Sequence, residues 1–175
     1  MTKPFTYPAP KRRSKSAKAA FSDPNFWRVR EDGHSWIADV AHSNALDRIQ
    51  LVREGVAAQA VASLADVLDM SRDSLVRSLG LARATVERKL RSGGRLGVAE
   101  SERVLGVTLL ISQIQQIVSE SGNADEFDAA AWVSQWIESP VPALGGRKPI
   151  EFMDTAEGRA IVSGLLARMQ SGAYA

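Results

Sequence analysis

The sequence reads as all-α, with its helices in an N-terminal group and a smaller C-terminal group. From Asn44 nearly to the end, apolar residues recur at intervals of three and four, the spacing that lines one face of a helix. Gly55, Gly80, Gly93-Gly94 and Ser121-Gly122-Asn123 interrupt that periodicity, and these are residue types that end helices. No segment shows a convincing alternation of period two, the mark of a half-buried strand, and no internal repeat is visible. With 175 residues, 45% hydrophobic and 24% charged, the chain can bury the core of one compact domain or two small ones.

Residues 1–22 carry Lys3, Lys11, Arg12, Arg13, Lys15 and Lys18 without an acid, and few large apolar side chains. Such a segment buries too little surface to offset its ordering entropy, so a disordered basic arm is expected. Residues 23–43 hold Phe26, Trp27 and Trp36 among polar neighbours and read as a short packed lead-in, so 1–43 is set apart as arm and lead-in. Residues 44–120 form the first helical group. Leu46, Ile49 and Val52 share a face of its first helix, which Gly55 ends. Val61, Leu64, Ala65 and Leu68 form the stripe of the next. Ser71 is placed to cap a short helix with Leu75 and Leu79 inside and Gly80 as its stop. Arg83–Ser92 follows, with Val86 and Leu90 inward and Gly93-Gly94 at its end.

Gly97 with Glu100 three residues on fits a helix start, and that helix extends to about Ser119. Val104, Val107, Ile111, Ile114 and Val118 make one stripe, and Leu105, Leu109, Leu110 and Ile117 a second. A helix apolar on two sides needs two partners, the second being another part of the chain or another protomer. Residues 121–175 form the C-terminal group: a helix with Phe127, Trp132 and Trp136, a Pro/Gly loop, a short helix Pro149–Met153 opened by its proline, and a last helix with Ile161, Val162, Leu165, Leu166 and Met169.

Charge is segregated although the net is only +2. Residues 71–97 hold Arg72, Arg77, Arg83, Arg88, Lys89, Arg91 and Arg95 against Asp73 and Glu87, whereas 119–175 are mostly acidic. A basic surface for an anionic partner, joined to a module with another task, is the expectation. There is no cysteine, and His34 and His42 are the only histidines, so neither a metal site nor a Ser/His/Asp catalytic set is expected. Gly145-Gly146-Arg147-Lys148 has a superficial likeness to a phosphate loop, but Pro149 stands where Ser or Thr would hold magnesium. Trp132 and Trp136 at i, i+4 read as core. The stretch 104–118 is too short and too polar to span a membrane, and no secretory signal is visible, so the cytoplasm is expected. The chain is read as a non-enzyme without cofactor.

Residues 63–92, helix, short helix, tight turn, helix, have the form of a helix-turn-helix, whose second short helix enters the major groove. On Arg83–Ser92, Thr85, Arg88, Lys89 and Ser92 recur at i, i+3, i+4, i+7 opposite the apolar pair. Arginine forks suit guanine edges, and Lys or Thr suits phosphates or bases. The DNA-binding set is therefore Arg72, Arg83, Thr85, Arg88, Lys89, Arg91 and Arg95. Ala82, at the helix start, lacks the side chain of a good cap.

These residues resemble a known family. Leu64-Ala65-Asp66 through Arg95-Leu96, followed by Glu100-Ser101-Glu102-Arg103, resembles the Xre-like helix-turn-helix half of the Xre/MbcA/ParS antitoxins. Ala131-Trp132, the block Ala143-Leu144-Gly145-Gly146-Arg147-Lys148-Pro149-Ile150-Glu151, Thr155-Ala156-Glu157-Gly158-Arg159 and the ending Gly172-Ala173-Tyr174-Ala175 resemble its toxin-binding domain. The resemblance covers roughly residues 44–175. It implies an N-terminal Xre-like helix-turn-helix domain for DNA binding, a small C-terminal toxin-binding domain at 121–175, and a type II antitoxin; a homodimer is expected separately, from the doubly apolar helix 104–118 and the two-fold sites that helix-turn-helix proteins read. It further implies a RES-domain toxin partner that destroys NAD, an antitoxin that blocks the toxin's cleft, and repression of the antitoxin's own operon.

The toxin-binding set expected is Gly145, Gly146, Arg147, Lys148, Arg159 and Arg168 with the tail Gly172, Ala173, Tyr174 and Ala175. The tail's small residues suit a narrow cleft, and Tyr174 supplies one aromatic anchor; the plain alternative is a frayed chain end. Two other functions remain open on the residues alone. One is a stand-alone regulator whose C-terminal module dimerises or senses a ligand. The other is a nucleoid-type protein driven by the basic arm.

Overall fold

Why each segment of the chain becomes a helix is visible at its ends. The computed structural model describes residues 33–120 and 128–170. It contains α1 (Gly33–His42), α2 (Ala45–Glu54), α3 (Gln59–Val67), α4 (Arg72–Ser78), α5 (Arg83–Ser92), α6 (Val98–Glu120), α7 (Ala129–Ile137) and α8 (Ala156–Gln170), with 3-10 turns at Pro142–Leu144 and Pro149–Phe152. Asn44, Ser71 and Asp128 each accept a backbone N–H of the first turn they cap, from Asp47, Ser74 and Ala131. The helix ends at Gly80 and Gly93 share one device. Each glycine has positive φ, and the N–H groups around it bond back to the helix: Gly80 to Arg77 and Leu81 to Val76, then Gly93 to Leu90 and Gly94 to Lys89. Among the described residues the only β pairings are isolated bridges, Ala57 with Arg95 and Val141 with Arg147.

The long helix α6 is the spine. It packs against α1, α2, α3, α7 and α8, so both of its apolar stripes find partners in the chain itself. Val104, Val107 and Ile111 are fully buried, and Leu105 and Leu110 nearly so, while Leu109 and Ile117 are only partly covered. Polar ties reinforce the packing. Gln113 donates to the Ser163 carbonyl at 3.0 Å and accepts from its hydroxyl at 2.8 Å, joining α6 to α8. The Ser134 hydroxyl of α7 donates to the Leu68 carbonyl at the end of α3.

Two elements differ from the sequence reading. The lead-in ends in α1, whose Trp36, Ile37 and Val40 enter the core against α6 and α3. Three large apolar residues in a ten-residue helix are too few to stand out from their small and polar neighbours. On α2 the buried side chains are Leu51 and Val52, whereas Leu46 is 77% and Ile49 46% exposed. The periodic face Leu46–Ile49–Val52 therefore meets the core only at its C-terminal end. The arm 1–22, the break Ser121-Gly122-Asn123, Phe127 and the tail Gly172–Ala175 lie outside the described residues.

Candidate DNA-binding and toxin-binding surfaces

The α4–turn–α5 unit is built as a helix-turn-helix. Leu75 of α4, Leu79 at its C-terminal end and Val86 of α5 are buried in the core, and Leu90 is half-covered. Gly80 makes the turn in the left-handed region, where side chains are strained. Arg103 of α6 holds that turn from behind, its Nη1 donating to the carbonyls of Gly80 at 2.8 Å and Leu79 at 3.3 Å. Ala82 makes no side-chain cap. Instead Arg83, the first residue of α5, bridges to Asp73 of α4 at 3.0 Å and to Glu87 one turn on at 2.9 Å.

The structure divides the sequence-predicted DNA set. Arg72, Arg88 and Arg91 are exposed. Helical spacing puts Ala84, Arg88 and Arg91 opposite Val86, with Thr85 and Ser92 on one shoulder and Arg83 and Glu87 on the other. Lys89 turns the other way. Its ammonium lies 2.8 Å from Glu100 Oε2, with both side chains about four-fifths covered, and the same oxygen accepts the Gly97 N–H at 2.7 Å. Burial pushes the Glu100 carboxyl up, but Lys89, the Gly97 N–H and Arg103 outweigh it and hold it below the usual carboxylate range. Lys89 thus fastens α5 to the start of α6. Arg95 reaches back to donate to the Gly55 carbonyl at 2.7 Å, beside the Ala57–Arg95 bridge. Arg83 is exposed, yet its guanidinium is occupied by two carboxylates, which raise its pKa further. Sequence reasoning missed Asp73 and Glu87 as partners, although Arg83 and Glu87 stand at the i, i+4 spacing that signals such a pair.

The C-terminal surface centres on a closed loop. Val141 and Arg147 bridge, and Gly146 N–H returns to the Val141 carbonyl at 3.1 Å. Gly145 and Gly146 both have positive φ and both are exposed, with open space where a side chain would be. Arg147 lies 4.5 Å over the Phe152 ring and pairs with Glu151 at 3.1 Å. Lys148 pairs with Glu138 at the end of α7, also at 3.1 Å. The Lys148 N–H and the Arg147 guanidinium hold the Glu151 carboxyl below its usual range. Behind the loop, Trp136 is buried and stacks on the half-buried Trp132 with centroids 5.4 Å apart.

Arg159 is set apart from the loop. Its side chain lies across Gly106 of α6, where a methyl group would collide with it, and its Nη1 donates to the Met153 carbonyl at 3.1 Å. Burial and the nearby Arg103 lower its pKa, while Glu102 and Asp154 work the other way. Arg159 also lines an apolar groove of about 770 Å³ between α2, α6 and α8, with Ile49, Val52, Leu105 and Leu109. Arg168 is exposed near the end of α8. Among the described residues no cluster of His, Cys, Asp and Glu is placed to hold a metal ion, and no helix is long and apolar enough to cross a membrane.

Comparison with known proteins agrees with both halves. Residues 47–107 match the antitoxin Xre-like helix-turn-helix domain, and residues 125–172 match the antitoxin Xre/MbcA/ParS C-terminal toxin-binding domain. The Prs ADP-ribosylating antitoxin of Sphingobium sp. (strain YBL2) is 42% identical over 133 residues, which are 76% of this chain and 84% of that protein. With an Arg-rich helix-turn-helix braced on α6 and an exposed glycine loop in the segment that matches the toxin-binding domain, the chain belongs to the Xre/MbcA/ParS family of toxin–antitoxin system antitoxins.

Proposed function

We propose that this antitoxin neutralises a RES-domain toxin that consumes NAD, by covering the toxin's cleft with its C-terminal unit, and represses its own operon through α5. The observation that carries the reading is the exposed Val141–Arg147 loop, presented on ion-paired and stacked side chains within the toxin-binding segment. A loop fixed this way loses little entropy when a partner closes on it. The name of the Sphingobium relative joins an antitoxin to Prs ADP-ribosylation. ADP-ribosyl transfer also spends NAD, so an NAD-shaped cleft fits either chemistry. Gly145, Gly146, Arg147 and Lys148 form the contact on the loop, and the tail Gly172–Ala175 enters the cleft. Arg159 acts by fixing α8 on α6.

On the DNA side, Arg88 and Arg91 contact the operator. A homodimer presents two such helices to a two-fold site. Its interface is the α2 face, where Leu46 and Ile49 stay exposed beside the groove. Co-expression with the product of the neighbouring reading frame tests the pairing. A stable complex that preserves cellular NAD supports it. A protein that binds DNA but retains no such partner favours the stand-alone regulator.

A further inference from the structure

α5 carries one acid among its charged residues. Glu87 stands on a half-buried shoulder of the helix, away from buried Val86, with 37% of its side chain accessible. Phosphates repel a carboxylate, so a helix that binds DNA by charge alone gains nothing from it. Its position is nevertheless fixed. Arg83 Nε donates to Glu87 Oε1 at 2.9 Å, and Arg83 Nη1 reaches Asp73 Oδ2 on α4 at 3.0 Å. One guanidinium therefore ties the acid of α5 to the preceding helix. Glu87 Oε2 accepts no hydrogen bond among the described residues. The Arg83 hydrogen bond, with Arg91 and Arg72 nearby, holds the carboxyl below the usual range, so at neutral pH it is an acceptor with no proton to give.

The major groove sorts bases by donor and acceptor. Guanine and thymine present acceptors, cytosine presents its 4-amino donor, and adenine sets an N7 acceptor beside its amino group. A carboxylate is repelled by the acceptors and is best matched by cytosine. We propose that Glu87 reads a cytosine at one operator position, with Arg83 and Asp73 as positioning residues that aim its carboxylate. This rests on the reading that α5 enters the major groove.

The test is selection of preferred duplexes from a randomised pool by the full chain, for the wild type, Glu87→Gln, Asp73→Asn and Arg88→Ala, each checked for folding by its thermal midpoint. Glu87→Gln should lose a cytosine preference on the order of tenfold at one position and drift toward adenine, which an amide pairs with through N6 and N7. Asp73→Asn should blunt the preference at that same position although Glu87 is intact, an effect that a purely structural ion pair would spread over all sequences. Unchanged preferences in folded Glu87→Gln, with Arg88→Ala altering them, overturn the Glu87 assignment alone. If Arg88→Ala also leaves selection and affinity unchanged, α5 is not the reading helix and the parent reading falls.

Discussion

Lys89 illustrates how a residue can be legible in kind while the direction of its side chain is not. Its spacing with Thr85, Arg88 and Ser92 marks a polar face, but the direction of that face depends on where α6 begins, which local periodicity does not encode. The Glu100 cap was readable from its spacing to Gly97, and that carboxylate is what draws Lys89 inward. Lys89→Ala and Glu100→Gln should each lower the urea midpoint, and the double variant should cost less than their sum, as coupled groups do. Because the folded Glu100 carboxyl lies below its ordinary value, its contribution is complete above that value and is lost as pH falls through the lowered one. Glu100→Gln should therefore flatten the acid limb of stability measured against pH. Trp36 makes a second residue-scale case. It is 1% exposed, and its Nε1 has no hydrogen-bond partner among the described residues. Trp36→Ala should cost about 3–5 kcal/mol in chemical denaturation, and Trp36→Phe much less, since it keeps most of the buried apolar ring and loses no hydrogen bond among the described residues.

Helices were the most legible level. The stops at Gly55, Gly80 and Gly93, the cap at Ser71 and the proline opening Pro149–Phe152 are local devices, and the structure uses each of them. The buried face of α2 was not legible, because Leu46 and Leu51 are equally apolar and only the position of α6 decides which is covered. At the start of α5, Ala82 has extended backbone, φ −74° and ψ 105°, and no side-chain cap. Ala82→Ser should raise unfolding stability by about 0.5–1 kcal/mol, read from the denaturant midpoint at constant m. On the outward face of the same helix, Arg88→Ala should weaken binding to selected operator duplexes by about 1–3 kcal/mol if it meets a guanine. A gel shift at fixed salt measures this, and an unchanged affinity would remove Arg88 from the interface.

At the scale of the molecule, the two halves foreseen in the sequence share one helix. Charge segregation separated a basic Arg/Lys cluster from an acidic module, but it gave no hint that α6 would serve both, bracing the Gly80 turn through Arg103 and receiving α8 through Gly106 and Gln113. That sharing was illegible because α6's second stripe fits a partner protomer and the chain's own α7 and α8 equally well by periodicity. The two candidate surfaces nonetheless lie on different elements, Arg88 and Arg91 on α5 and the Gly145-Gly146 loop between α7 and α8. The most direct test is cellular NAD in bacteria expressing the neighbouring toxin together with the wild-type antitoxin, Arg88→Ala, or the chain lacking residues 172–175. The account predicts that NAD is preserved by the wild type and by Arg88→Ala, and that it falls with the truncated chain although that chain still binds operator DNA. NAD that falls with both variants, or with neither, would contradict it.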